Sequence, residues 1–356
     1  MAAPPRHGRT LAQIGEICAR ATDPRTLRLQ VLDLLDEVVP HDAFAWLLTD
    51  PETAVGSSPI ADVPWLPRLP EAIRLKYLTP VNRWTSMSGP VSRLGEVTGG
   101  DLSRSRLWAE LLADYDVSDL ISAVFLDAYG CWGFLDLWRI GDRAGFSPED
   151  EDLLVTITAA LTAALRRLQA SSLRATKAAN SAPGHDGGPV VMLLSPDLTV
   201  LSQTAETEAY LRTIVPTEQG RSPVPATAYN VAAQLLAVEA GVDDHPPLTR
   251  LHVADGHWVS MSAARLGATG PLEDRTIAVT LQRAGPADRL ALFARASGLT
   301  ARETELVRHL GDGVDTRQLA RRLGVAEHTV QDHLKAIFAK TSTGSRLELL
   351  SRVFGG

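Results

Sequence analysis

"TRQLARRLGVAEHTVQDHLKAIFAK" (residues 316–340) holds two helical patterns with almost no chain between them. In the first, Leu319, Ala320 and Leu323 recur at helical spacing; in the second, Val330, Leu334, Ile337 and Phe338 do so. Gly324 and Val325, between the two, make a tight turn, while Gly313 is the residue expected to go left-handed at the preceding helix stop. Two helices joined by so short a glycine-containing turn form the helix-turn-helix pattern. Upstream, Thr300 with Glu303 three residues later spells a capping box, opening a helix that carries Leu306, Val307 and Leu310. "GDG" (311–313) stops that helix, and Asp315 or Thr316 caps the next. After "TSTGS", the run "RLELLSRV" (346–353) supplies a fourth helix.

On a wheel of 100° per residue from His328, Val330, Leu334, Ile337 and Phe338 fall between about 180° and 280°, one core-facing stripe. His328, Gln331, Asp332, Lys335 and Ala339 fall between about 300° and 40°, a separate polar face. Donors and acceptors on such a face match the code that base edges present in a major groove. His333 and Lys340 stand to one side, within reach of phosphates. A metal site is not expected: His328 and His333 point about 140° apart, and no cysteine lies nearby. Asp332 and His333 are neighbours on a helix and do not face each other as a catalytic pair must. The wheel by itself fits a plain solvated face on a helical bundle equally well.

Charge is distributed unevenly. The 356 residues carry a net −7, yet residues 286–356 hold 11 Lys/Arg against 8 Asp/Glu, a net of +3, leaving −10 for the preceding 285. The asymmetry hints that the tail meets an anion.

The run "LTARETELV…LGDGVDTRQLARRLGVAEHTVQDHLKAIFAKTSTGSRLELL" resembles the LuxR-type, or NarL/FixJ-type, helix-turn-helix domain of bacterial transcription regulators. Leu299, Thr300, Arg302, Glu303, Glu305, Gly313 and Leu319 sit where the family pattern has them, and so do Ala320, Leu323, Thr329, Val330, His333, Lys340 and Arg346. By that resemblance Gln331, Asp332 and Lys335 face bases, and Thr316, Thr329, His333 and Lys340 contact the DNA backbone, with His328 on the same face. The chain departs from the family at Gln331, usually Lys, which removes one charge from the DNA face. It departs also at Ala326, usually Ser, forfeiting a helix cap worth roughly 1 kcal/mol. Asp332 as an acceptor for a cytosine amino group and Gln331 on an adenine would turn these changes into specificity.

The length allows two or three domains. "SSLRATKAANSAPGHDGGP" (171–189) lacks apolar periodicity and reads as a linker, with a softer boundary near "RAGPADR" (283–289). The expected organisation is a domain over 8–170, a linker over 171–188, a domain over 189–285 and the helical domain over 286–356. No internal repeat is evident. The first block runs through two helices, a strand at "AFAWLLTD", a Pro-broken stretch with a short helix, a helix at "SRLWAELLADY" and two strands joined at Tyr129-Gly130. It closes with a helix from Pro148 whose Leu153, Leu154, Ile157, Leu161, Ala164, Leu165 and Leu168 form one stripe, capped by Ser147. This order resembles a GAF domain, a small-molecule sensing fold. The second block reads as two strands around a Pro-Asp turn, helices at "AETEAYLRTI" and "PATAYNVAAQLLAVEA", and a three-strand meander with a hairpin at Asp255-Gly256, resembling a PAS-type domain. The fold class is therefore multidomain α+β, with an all-α four-helix C-terminal domain.

Six of the seven tryptophans precede residue 140. Trp46, Trp84, Trp132 and Trp138 are candidates for the wall of an apolar ligand pocket, although filling cores and interfaces is the commoner role of such residues. Two cysteines, Cys18 and Cys131, are too few for a disulfide framework and suit a reducing compartment. The longest apolar run, "LLVTITAALTAAL" (153–165), has 13 residues where a bilayer span needs about 20. A cytoplasmic chain without a membrane partner is expected. These readings converge on a sequence-specific regulator of transcription that binds a double-stranded operator as a homodimer and answers to a small effector, with no cofactor or metal. The alternative is an enzyme or signalling protein of the GAF or PAS type with an accessory helical tail; no nucleophile elbow, phosphate loop or metal cluster supports it.

Overall fold

In the computed structural model the structure describes residues 5–175, 190–205, 207, 211, 225–252, 258–267, 271 and 274–354. Helices α1 (Pro5–Arg20) and α2 (Pro24–Val38) lead into a sheet of β1 (Ala43–Thr49), β2 (Gly56–Asp62), β3 (Val91–Arg93), β4 (Val117–Asp127) and β5 (Gly130–Ile140). All pairings are antiparallel, in the order β2-β1-β5-β4-β3. Alternation along β4 splits the core: Ile121, Ala123 and Phe125 face α1, α2 and the long α6 (Pro148–Ala175), while Leu120 faces the other side. That other side is covered by α3 (Leu69–Leu78) and α5 (Arg106–Glu110), which follows the single turn α4 (Leu94–Val97).

The second sheet contains β6 (Val190–Leu194), β7 (Val200–Gln203), β8 (Leu248–His252), β9 (Trp258–Arg265) and β10 (Ile277–Arg283), ordered β7-β6-β10-β9-β8. Counted within each sheet, both orders are 2-1-5-4-3. One architecture occurs twice, with no trace as a sequence repeat. Helix α7 (Ala226–Glu239) packs from the second sheet onto α3 of the first unit. Five helices complete the chain: α8 (Pro286–Ala296), α9 (Ala301–Gly311), α10 (Thr316–Leu323), α11 (Glu327–Thr341) and α12 (Arg346–Phe354).

Several expectations need correction. β2, in the stretch between the first strand and the Pro-broken segment, has no apolar alternation and contains Pro59; it is an edge strand, where a missing N–H is tolerated. "SRLWAELLADY" is not one helix. The backbone leaves helical geometry at Leu111 (φ −139°, ψ −58°), and Leu111 and Leu112 are both fully buried. Helix α6 runs to Ala175, beyond the expected start of the linker, with Leu173 buried. Its start is a reciprocal cap: Ser147 Oγ accepts from Asp150 N at 3.2 Å, and Asp150 Oδ2 accepts from Ser147 N at 2.8 Å. By length and composition α6 is long and apolar enough to cross a membrane, and half of that apolar window is buried within the molecule. Its leucine stripe is spent on the chain's own core. Most of "AETEAYLRTI", and the Asp255-Gly256 turn, lie outside the described residues.

Buried ion pairs join the two sheets. Asp50, after β1, accepts from Arg250 of β8 through Nε at 2.7 Å, Nη2 at 2.8 Å and the backbone N–H at 2.9 Å, and both residues are almost wholly buried. On the other side of the junction Arg83 donates Nε to Asp243 at 2.9 Å and Nη2 to Gln234 at 2.9 Å. Burial alone would raise the Asp243 carboxyl, but hydrogen bonds from His245 and the charge of Arg83 outweigh it and hold it well below the carboxylate range. The hydrogen bond to Asp243 raises His245 in turn.

Removing one partner of a buried pair strands the other charge, so Arg250→Ala or Asp50→Ala is expected to cost about 3–5 kcal/mol in denaturant unfolding. Joint replacement by leucines should cost less than either single change. Asp243 stabilises the fold above the ordinary carboxyl value of 3.8 and stops doing so as pH falls through its depressed value. His245 contributes below its ordinary 6.5 and ceases to as pH rises through its raised value. A melting-temperature profile against pH should therefore fall on both limbs, and His245→Gln should flatten the alkaline one.

Candidate functional site

Side chains fix the helix ends of the C-terminal cluster. At the start of α9, Thr300 Oγ1 accepts from Glu303 N at 3.2 Å while Glu303 Oε2 accepts from Thr300 N at 2.7 Å. Asp315, the N-cap of α10, accepts from Gln318 N at 2.7 Å. Gly313 and Gly324 take left-handed φ values of 78° and 64° just beyond α9 and α10. Three arginines donate to carbonyls near helix C-termini: Arg302 to Leu323, Arg346 to Val314 at 2.7 Å, and Arg352 to Thr341 at 2.8 Å. This places cationic side chains where the helix dipole favours them.

The bracing sets the orientation of α11. Val330 and Ile337 are fully buried, and Leu334 and Phe338 pack half-buried on the same core. Gln331, Asp332 and Lys335 are exposed on the opposite side, as are His328 and Ala339. Lys335 Nζ lies 3.4 Å from Asp332 Oδ1, with the side chains 78% and 68% exposed. So exposed a pair contributes little to stability and is easily exchanged for other partners. His333, Thr329 and Thr316 are half-buried beside this face. Lys340 is placed differently: its ammonium is 2.7 Å from Glu303 Oε2, tying α11 to the start of α9. Burial would raise the Glu303 carboxyl, but the Lys340 bond and the Thr300 cap prevail and lower it. Ala326, at the N-cap of α11, offers no side-chain bond.

Arg317, Arg321 and Arg322 of α10 are also exposed, and Arg321 and Arg322 make no ion pair among the described residues. Sequence reading passed them over, although a basic pair ahead of the turn was the signal.

The first sheet borders a cavity of about 280 Å³. Its wall includes Leu47, Ile73, Phe134, Trp65 and Trp138, and Ala226 and Asn230 of α7 close it from the second unit. Inside lies a buried ion pair, Lys76 Nζ to Asp136 Oδ2 at 2.8 Å, with Asp136 also accepting from Ser122. Asn230 donates Nδ2 to Gly56 O at 2.9 Å, while its Oδ1 and Trp138 Nε1 are buried without partners among the described residues.

Of the four tryptophans considered from the sequence, only Trp138 lines this cavity. Trp46 stacks on Phe125 at 5.1 Å in the core facing α2 and α6. Trp84 stacks on Phe134 at 4.3 Å and donates to Ala54 O, and Trp132 donates to Asp127. Trp65, Lys76, Asp136 and Asn230 were missed, because only the tertiary fold gathers them. Burial pushes the Cys131 thiol up to about 11, away from thiolate chemistry. Asp243, Asp244 and His245 bring ligand atoms within 4.8 Å of one another, but the Asp243 carboxylate is already committed to Arg83 and Thr85.

Glu303→Ala removes both the cap and the tie to Lys340, and is expected to lower stability by about 1–2 kcal/mol in thermal unfolding. Glu303→Gln, which can still cap, should lose less.

The bacterial regulatory proteins of the luxR family match residues 297–353. The monoamine regulon transcriptional regulator of Klebsiella aerogenes is 43% identical over 56 residues, 16% of this chain and 25% of that protein. The transcriptional regulatory protein DesR of Bacillus subtilis (strain 168) is 31% identical over 61 residues, 17% and 31% of the two chains. The chain thus spans a quarter to a third of the relatives it matches. Among solved structures, Escherichia coli SdiA aligns at 11% identity and a TM-score of 0.37, over 97% of this chain and 95% of that one. A bacteriophytochrome of R. palustris aligns at 11% identity and a TM-score of 0.36, over 79% and 63%. Scores this low carry no argument about the first 285 residues. Residues 297–353 form a helix-turn-helix domain of the luxR family of bacterial regulatory proteins.

Proposed function

We propose that the protein is a sequence-specific, DNA-binding regulator of transcription whose α11 enters the major groove. One observation carries this reading: Gln331, Asp332 and Lys335 project together into solvent from a helix whose other face is locked in the core. Gln331 suits an adenine edge, Asp332 a cytosine amino group and Lys335 a guanine. Thr316, Thr329, His333 and His328 flank that face as phosphate contacts, joined by Arg321 and Arg322. Lys340 serves by holding α11 in place.

The two front units, over 8–170 and 189–285, are a GAF-like and a PAS-like domain, supported by their shared 2-1-5-4-3 strand order. Their task is to sense a small effector, and the cavity around Lys76 and Asp136 is its seat. The protein acts as a homodimer, because an operator with two half-sites needs two recognition helices. With the leucine stripe of α6 buried, the exposed Val155 and Ala159 on its outer face are the candidate contact.

Footprinting with the full chain should reveal protected sites of common sequence. Lys335→Ala is expected to weaken a specific site by about 1–3 kcal/mol, roughly tenfold or more, and Asp332→Ala to relax selection at one base pair. Unchanged selection in both variants would remove the base-reading assignment. Light scattering should give a dimer on the operator; a monomer both free and bound would refute the oligomeric part.

A further inference from the structure

A second cavity lies on the opposite face of the first sheet from the one around Lys76. It is a cleft of about 740 Å³ bounded by the start of α2, the β1–β2 hairpin, the C-terminal end of α6 and β8 of the second sheet. Its deepest charge is Arg28, a residue only 2% exposed. The guanidinium is held by carbonyls alone: Nε donates to Pro24 O at 3.0 Å, and Nη1 to Trp46 O at 2.9 Å and Ser58 O at 2.8 Å. No carboxylate pairs with it among the described residues. The remaining nitrogen, Nη2, forms no hydrogen bond there and is not sealed off from the cleft.

A buried cation without a counter-ion is costly unless something else compensates it. The surroundings favour an anion in that role. Arg25, exposed on the same wall, adds a second positive charge, while Arg250 is already neutralised by Asp50 and Glu52. The acid on the wall, Asp23, spends its carboxylate on the cap of α2 through Thr26 N and Thr26 Oγ1. The hydroxyls of Ser57 and Ser58 have no hydrogen-bond partner among the described residues. Ser58 is held at a left-handed φ of 45°, a strained conformation for a non-glycine, and its carbonyl bonds to Arg28. Opposite these polar groups stand Leu48, Trp132, Leu165, Leu168 and Leu251, an apolar wall. Burial, with the nearby charge of Arg25 and against the smaller opposing effect of the Asp23 carboxylate, lowers Arg28 to about 10, so it stays cationic at neutral pH.

We propose that this cleft is a binding site for a small organic anion, a carboxylate or a phosphate ester, whose head sits on Arg28, Arg25 and the Ser57–Ser58 hydroxyls and whose apolar body lies against Leu165, Leu168 and Trp132. Arginine presents paired N–H donors that carboxylate and phosphate oxygens match, and the site uses the one Arg28 nitrogen its own chain leaves open. The ligand bridges α6 and β8, so it joins the helix beneath the DNA-binding domain to the second sheet. It is independent of the effector cavity proposed above.

The test is isothermal titration of the full-length protein with benzoate, phenyl phosphate and, as the uncharged counterpart, benzamide. Saturable binding of benzoate or phenyl phosphate, weakened by added salt and at least tenfold tighter than benzamide, is expected. The stronger of the two anions identifies the head group. Arg25→Gln, a surface change that leaves the core intact, should lower affinity about fivefold or more, and Arg28→Gln should abolish binding. Arg28→Lys, which keeps the charge without the planar fork, should fall between wild type and Arg28→Gln. Benzamide binding as tightly as the anions, or anions binding equally well to the Arg25→Gln protein and the wild type, would overturn the assignment. So would the absence of saturable binding by either anion.

Discussion

The junction between the two sheets rests on charges that have left water. Asp50 with Arg250, and Arg83 with Asp243, are ion pairs in which each partner's position is dictated by the other unit. In a low-dielectric setting neither charge can be stranded without heavy cost. The cavity around Lys76 depends on this arrangement, since Ala226 and Asn230 complete its wall only while α7 stays seated on α3.

The same logic operates at smaller scale in the helix-turn-helix domain. Its helices are short, and α10 has only eight residues. Isolated helices of that length are not stable in water. Caps, left-handed glycines and arginines on open carbonyls replace what length does not provide, and Glu303 serves as both a cap and an ion-pair partner. The family resemblance at Thr300, Glu303, Lys340 and Arg346 is thus a set of braces. The exposed Gln331, Asp332 and Lys335 lie between them.

What could be read from the sequence follows from how local each signal is. The 3.6-residue period of α11, the Thr300–Glu303 cap and the Ser147 start of α6 are written within a few neighbouring residues. Hairpin strands β4 and β5 also declare themselves, because their apolar runs flank one tight turn. β2 does not, since Pro59 and two serines give it no pattern until β1 pairs with it. Trp46, Trp84 and Trp132 looked equivalent to Trp138 in sequence, yet the sheet sends them to separate surroundings. Asp136 and Lys76 lie 60 positions apart, and Asn230 belongs to another unit altogether; nothing local links them. The common strand order of the two sheets is likewise invisible, because sheet order is a property of pairing and not of composition.

Helices α8 and α12 pack directly on α6, and residues from α1, α2, α6 and the helix-turn-helix domain share one apolar core. Arg295 donates to Tyr129 O at 2.9 Å, fastening α8 to the tip of the β4–β5 hairpin. Yet the contact is not filled: a gap of about 220 Å³ separates Ala163, Arg166 and Ala170 of α6 from Phe293, Ala296 and Thr341. A joint built this way has no swivel. It can only slip, by side chains sliding along a groove into vacant volume, as in the shear motions of packed helices. A displacement along α6 would then pass to the helix-turn-helix domain by small increments, leaving that domain folded throughout.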